Sequence, residues 1–476
     1  MTAFLKPYLL VWMTVCLLNA CKNSPETLHK PNIIFILADD LGYGDLGCYG
    51  QERIETPNID RLASEGMRFT QHYAGSTVCA PSRSVLMSGR HTGHTYIRGN
   101  REHGEEGQFP LADSVRTIAE LLKDQGYVTG AFGKWGLGFP GSEGDPMNQG
   151  FDRFFGYNCQ RLAHHYYPYH LWDDREKILL EENAGTQAGT YAPIRIHEKA
   201  IEFIESCQDT SFFLYIPSII PHAELLAPEE YTARYRGLFL PEKTYQGVDS
   251  GPNFRQGAYG SQPESHAAFA AMMTILDEQV GAIMEHIKML GLEQKTVIFF
   301  SSDNGPHLEG GADPDYFNSN GPFRGYKRDL YEGGIRVPFI AWWPGMIEPG
   351  SESDHVSAFW DLYPTLAGLA GADITKPVDG ISFLPTLTGK GTQEQHEYLY
   401  WEFFERGGRV AVRKDQWKAV KYNIRDHPDG PLELYDLSRD PGEQYNVASL
   451  FPEMVATMEE ILGNARTESK HFRFPQ

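Results

Sequence analysis

Four runs of β-branched and aromatic residues, each followed by a polar or glycine-containing break and then by a helical pattern, constrain this chain more than any other feature. They are Asn32 to Leu37, Tyr127 to Phe132, Ser211 to Ile216 and Thr296 to Phe300. Runs that are apolar without alternation belong to strands buried on both faces, and the intervening helices supply the cover. The pattern therefore predicts an α/β domain with a mostly parallel sheet flanked by helices. Helix signals fall between the runs: Thr56-Pro57-Asn58 opens one that Gly66 closes, Asp113 caps a segment reaching Lys123, and His266 to Met289 forms a long amphipathic stretch before Gly291. After Gly389-Lys390-Gly391 the character changes. Short strands at Tyr398 to Trp401, Arg409 to Val412 and Trp417 to Val420 precede a helix from about Pro452 to Ala465, which predicts a small antiparallel sheet with one helix. A chain of 476 residues exceeds the ~250–300 residues at which one core stops growing. The expected division is a large domain over 31–390 and a C-terminal α+β subdomain over 391–476, with the boundary near 385–395.

The N-terminus carries Lys6, the apolar run Leu9 to Leu18, and then Leu18-Asn19-Ala20-Cys21. That run is shorter than the ~20 apolar residues a membrane-spanning helix needs, and it fits an export signal over 1–20. Ala20 before Cys21, with Leu18 third before it, resembles a bacterial lipobox, which implies a lipid on Cys21, a tether over 21–30, and a membrane-anchored lipoprotein of the periplasm or cell surface. The alternative is a plain signal with an incidental cysteine. On the lipobox reading Cys16 leaves with the signal and Cys21 would be lipidated, so of six cysteines Cys48, Cys79, Cys159 and Cys207 remain. If one of these, Cys79, is spent on chemistry as its sequence context suggests, three are left, which predicts no essential disulfide framework. A formal charge of −21 repels phosphate backbones and argues against nucleic acid as a partner. An anionic substrate then needs a local basic pocket or a metal.

Open parallel sheets place ligand sites beyond the carboxyl ends of their strands, and each run here ends in polar residues: Asp39-Asp40, then Gly133-Lys134-Trp135, Pro221-His222, and Ser302-Asp303-Asn304-Gly305. Asp39, Asp40, Asp303 and Asn304 offer only oxygen donors, which suits Ca²⁺ or Mg²⁺ rather than Zn²⁺. Alone, an Asp-Asp pair is more often a solvated turn; two such clusters at two strand ends weaken that view. Asp45, after the loop-like Gly42-Tyr43-Gly44, is not counted among the ligands. In Cys79-Ala80-Pro81-Ser82-Arg83, running on to Leu86-Met87-Ser88-Gly89-Arg90, Pro81 and Gly89 bound a helix of about two turns with Cys79 at its positive dipole end. Arg83, four residues on, leans over Cys79. The blander view is a buried structural cysteine.

Cys79-x-Pro81-Ser82-Arg83 resembles the signature of the type I sulfatase family, of the alkaline phosphatase-like superfamily, in which this cysteine is oxidised to formylglycine. The blocks at Asp39-Asp40, Lys134, Pro221-His222, Asp303-Asn304, Arg324-Gly325-x-Lys327 and Glu332 to Pro338, and the ending Leu434 to Leu437 with Asp440-Pro441 and Glu443, resemble that family's blocks in order, over roughly residues 30–450. The resemblance implies hydrolysis of sulfate monoesters by a hydrated formylglycine at 79, maturation by a formylglycine-generating enzyme, and one Ca²⁺ held by Asp39, Asp40, Asp303, Asn304 and residue 79. It implies that Arg83 holds the formylglycine, that Lys134 and Lys327 bind sulfate oxygens, and that His222 is the acid for the leaving group. One block departs: where the family has His, this chain reads Gly136 in Gly133-Lys134-Trp135-Gly136-Leu137-Gly138. Either another base serves, with His91 and His103 as candidates, or the elimination step that expels sulfate is slower; a third account is that the glycine makes space for a sugar ring. Loop residues Asn100, Arg101, His164, His165, Tyr167 and His307 are expected at the substrate side, which points to a sulfated saccharide such as sulfated galactose or N-acetylgalactosamine. Two rivals stand beside this reading: a phosphodiesterase or phosphonate hydrolase of the same superfamily, and a catalytically silent glycan-binding lipoprotein, which only Gly136 supports.

Overall fold

The computed structural model describes residues 30–474, so the expected export signal and the lipidation site at Cys21 lie outside the described residues. Five parallel strands form the centre of a 10-stranded sheet, in the order Thr296–Ser302, Asn32–Ala38, Phe212–Pro217, Val128–Lys134 and Arg153–Tyr157. Phe339–Trp342, Met67–Phe69 and Ser351–Ser353 extend one edge, and the antiparallel hairpin His170–Asp173 and Glu176–Leu179 extends the other.

The apolar runs are continuous because both faces of the sheet are covered. In Asn32–Ala38 the side chains of Ile33, Phe35 and Leu37 enter one core, and those of Ile34, Ile36 and Ala38 enter the other. Each fully buried Ile, Leu or Phe contributes about 1.5–3 kcal/mol relative to an exposed one. Helices Pro57–Ser64, Ala192–Ser206 and Ser265–Met289 cover one face; Cys79–Ser88, Ile118–Asp124 and Leu362–Ala370 cover the other. One expected cap moves. Asp113 does not open a helix; Thr117 does, through a capping box in which its hydroxyl accepts from the Glu120 N–H and the Glu120 carboxylate accepts from the Thr117 N–H.

The C-terminal strands Leu399–Phe403, Arg409–Lys414, Trp417–Tyr422 and Glu433–Asp436 make an antiparallel sheet backed by helix Pro452–Asn464. It docks on the large sheet by the same alternation. Tyr400 faces its own core with Val412, Leu434 and Met458, while Leu399, Trp401 and Phe403 enter the core of the large sheet. A fully buried Lys418 joins the two, 2.8 Å from Glu332 and 3.0 Å from Glu443.

Candidate active site

The rim of the site is fixed by strand register. Ala38 pairs with Ser302, so Asp39-Asp40 and Asp303-Asn304 leave the sheet side by side. Asp40 takes a left-handed backbone, φ 64°, which Asp tolerates better than most residues, and its N–H donates to Asp303 Oδ1 at 3.1 Å. Lys134 ends its strand one place across from the Phe212–Pro217 strand, beyond which lies His222. Cys79 begins the fully buried helix Cys79–Ser88, of nearly three turns rather than two. The helix stops at Gly89 in the left-handed region, φ 67°, whose N–H bonds back to the Val85 carbonyl.

These elements converge. Cys79 Sγ lies 3.4 Å from Asp39 Oδ1 and 3.5 Å from Lys134 Nζ, and that ammonium donates to Asp39 Oδ2 at 2.6 Å. Arg83 donates to Asp303 Oδ2 from Nε at 3.1 Å and from a terminal nitrogen at 2.8 Å, and also to the Lys134 carbonyl. Lys327 Nζ donates to Asp40 Oδ2 at 2.7 Å and to His222 Nε2 at 3.0 Å. Asn304 Nδ2 donates to Asp40 Oδ1 at 2.7 Å, while Asn304 Oδ1 is buried with no partner.

Burial and charge set the protonation of this cluster. Burial works to raise the pKa of both Asp39 and Asp40, yet the Lys134 ammonium and the Arg83 guanidinium hold Asp39 well below the usual carboxylate range, and Lys327 does so for Asp40. Asp303 is pushed up to about 7 by burial and by Asp39, against the pull of Arg83. Burial, with Asp39, pushes the Cys79 thiol far up. His222 is kept neutral by burial and by the Lys327 ammonium.

The donor set fits a divalent cation. Ligand atoms of Asp39, Asp40, Cys79 and His222 lie within 4.8 Å of one another, and the unpartnered Asn304 Oδ1 adds an amide oxygen. Asp303 stands behind them, its oxygens engaged by Arg83 and the Asp40 N–H. Three carboxylates (Asp39, Asp40, Asp303) face three cations (Arg83, Lys134, Lys327). A divalent ion added to that balance leaves net positive charge, which an anionic ester offsets in part.

Of the loop residues expected at the substrate side, His164 and His307 flank His222, with ring centroids 4.9 and 5.5 Å away. Asn100 instead supports the nucleophile helix, its Oδ1 accepting from the Ala80 N–H at 3.1 Å. Arg101 is exposed and lies over Phe109. His165 is turned to the Gly257 N–H, and Tyr167 packs on Tyr191. Neither candidate base reaches the cluster: His91 stacks on His94 beside Asp379, and His103 stacks on Phe139. Nor is there open space at Gly136. Its φ is 75°, and a Cβ there would come within 3.1 Å of Gln160 Cγ and 3.2 Å of Gln160 Nε2. Gln160 escaped the sequence reading, although its place just beyond the strand Arg153–Tyr157 is the kind of position that signals a rim residue.

The family model described as sulfatase matches residues 31–372, and one described as N-sulphoglucosamine sulphohydrolase, C-terminal, matches 322–468. Human arylsulfatase A is 34% identical, with 94% of this chain and 89% of the relative covered. Human N-acetylgalactosamine-6-sulfatase is 30% identical, with 91% and 84% covered. Among solved structures, Ps i-CgsB in complex with k-i-k-neocarrahexaose superimposes with a TM-score of 0.77 at 27% identity, covering 92% of this chain and 93% of that one. The phosphonate monoester hydrolase of Agrobacterium radiobacter, at 21% identity and a TM-score of 0.63, shares the fold. The chain belongs to the sulfatase family and is a sulfuric ester hydrolase.

Proposed function

We propose that the protein removes sulfate from sulfated saccharides, of the galactose or N-acetylgalactosamine type, with residue 79 as formylglycine and one Ca²⁺ held by Asp39, Asp40, Asp303 and Asn304 beside residue 79. The observation that carries this reading is Cys79 at a buried helix N-terminus, within 3.5 Å of both Asp39 and Lys134. The thiolate is the reactive form of cysteine, and a thiol held this far up is a poor nucleophile, which supports conversion of the side chain. Bound Ca²⁺ would neutralise sulfuryl oxygens and lower the pKa of a hydroxyl on residue 79.

The chain's own residues do the rest. Arg83 fixes Asp303 and, through the Lys134 carbonyl, the end of that strand. Lys134 and Lys327 present ammonium donors on two sides of the Asp39-Asp40 pair and would bind sulfate oxygens. His222 Nε2 accepts from Lys327, and Nδ1 donates to the Ala223 carbonyl. The proton for the leaving oxygen therefore comes from the Lys327–His222 pair rather than from an isolated imidazolium. The saccharide assignment draws on the sugar-sulfatase relatives and on the histidine stack of His164, His222 and His307 at the rim. Export, the lipid on Cys21 and maturation by a formylglycine-generating enzyme complete the reading.

Sulfate release from sulfated galactose and N-acetylgalactosamine oligosaccharides, after chelation and Ca²⁺ repletion, tests it. Calcium-dependent release that Cys79→Ala abolishes is expected. Release unaffected by Cys79→Ala, or none from any sulfated saccharide while an aryl sulfate is turned over, would contradict it.

A further inference from the structure

The departure at Gly136 leads to a residue outside the recognised blocks. Lys134 pairs with Tyr157 in the parallel register, and the pairing runs on past the strand ends: Trp135 N–H donates to the Tyr157 carbonyl at 2.9 Å, and Gly136 N–H to the Asn158 carbonyl at 3.0 Å. The segment after Tyr157 is thereby tied to the chain that carries Lys134, whose ammonium lies 3.5 Å from Cys79 Sγ. Four residues beyond Gln160, His164 stacks on His222, the imidazole bonded to Lys327. Along the chain Gln160 thus lies between two anchored residues, Asn158 bonded to Gly136 and His164 stacked on His222.

Its side chain is 6% exposed, and its Nε2 is buried without a hydrogen-bond partner. A buried amide donor left unpaired is costly and is rare in folded proteins unless a ligand or water completes it. The glycine at 136 is what lets it stand there. A side chain on 136 would need both a left-handed backbone and the place that Gln160 Cγ and Nε2 occupy, 3.1 and 3.2 Å from the ideal Cβ. The site has a carboxamide from 160 where the family block has an imidazole from 136. An amide cannot serve as a base at neutral pH, so Gln160 does not replace that histidine's proton chemistry; it offers a donor. The group whose oxygens only accept is the sulfuryl group.

We propose that Gln160 binds substrate directly, its carboxamide N–H donating to a sulfuryl oxygen on the Lys134 side of the site. This rests on the sulfate-ester chemistry proposed for the protein. Gln160→Met keeps the length of the side chain and removes the donor. The expected result is a fall in kcat/KM of roughly 10- to 100-fold, as for the loss of one hydrogen bond to a charged group. The fall should be the same for a small aryl sulfate and for a sulfated saccharide. Tm should hold or rise, because the variant no longer buries an unpaired donor. Inorganic sulfate should raise the Tm of the parent protein and should protect the variant less. Gln160→Glu, which puts a carboxylate in the same place, should lose at least as much activity.

Activity and sulfate protection within about twofold of the parent would overturn the proposal. So would a loss confined to the saccharide, or a Tm that falls in step with activity. Parent protein that releases sulfate from neither ester would defeat the sulfatase reading instead, and the sulfate-dependent thermal shift would still decide the role of Gln160.

Discussion

Arg83→Met removes a deeply buried cation of the site while keeping most of its side-chain volume. In the native protein the Arg83 side chain is 1% exposed, lies 2.8 Å from Asp303 and 3.7 Å from Asp39, and also holds the Lys134 carbonyl. Breaking one side of a buried ion pair costs about 3–5 kcal/mol because the partner charge stays behind, whereas an exposed pair is worth about 0–1 kcal/mol. Asp303 has little reserve, since burial and Asp39 already push it up to about 7 with Arg83 present. Urea unfolding of calcium-free protein should show a midpoint lowered by an amount equivalent to about 3–5 kcal/mol with the slope unchanged. Calcium should then stabilise the variant more than the parent, because removing a neighbouring cation strengthens cation binding. A shift below about 0.5 kcal/mol, the size of an ordinary surface substitution, would refute the electrostatic account of the cluster. So would calcium stabilising both proteins equally.

Three further outcomes are expected. Gly136→His must adopt a left-handed backbone, at a cost of about 1–2 kcal/mol, and must displace Gln160; turnover of aryl and saccharide sulfates should fall together, and a loss on the saccharide alone would restore the sugar-space view. Asp45 is buried and its pKa is pushed up from 3.8 to about 7 by that burial, so the folded protein holds a proton that the unfolded chain releases and stability falls as pH rises through that window. Asp45→Asn should flatten the Tm-versus-pH curve there and raise Tm at mildly alkaline pH; a curve parallel to the parent's would contradict it. Lys418→Met strands Glu332 and Glu443 in the interface between the two sheets and should cost about 3–5 kcal/mol in urea unfolding, part of which Glu443→Gln added to it should recover; no loss would show the triad to be dispensable.

The central strands were legible because burial on both faces leaves continuous apolar runs, and the rim residues because they sit where those runs stop. Cys79, Asp39, Asp40, Lys134, Asp303 and Asn304 are all within two residues of an element boundary. The cap at Thr117 was also written in the chain, as Thr117-x-x-Glu120, but Asp113 is an equally good cap type, and only the reciprocal bonds separate them. Other features depend on pairings that no local pattern reports. The hairpin at His170–Asp173 and Glu176–Leu179 has an exposed second strand, whose adjacent Ile178 and Leu179 give no strand-like alternation. Gln160 meets Gly136 only because Arg153–Tyr157 lies next to Val128–Lys134 in the sheet. His91 stands twelve residues from Cys79 in sequence, yet the intervening helix carries it to the opposite end, where Asp379 holds it. Nearness along the chain misled there, while the decisive contact at Gly136 came from across the sheet.

Intact-mass analysis of the peptide containing residue 79, taken from protein that releases sulfate, decides whether the encoded cysteine is converted into the nucleophile. That peptide should be lighter than the cysteine form by the mass lost when a thiol becomes an aldehyde, and should react with a carbonyl-specific hydrazide. An active preparation in which this peptide carries only unmodified cysteine would contradict that conversion.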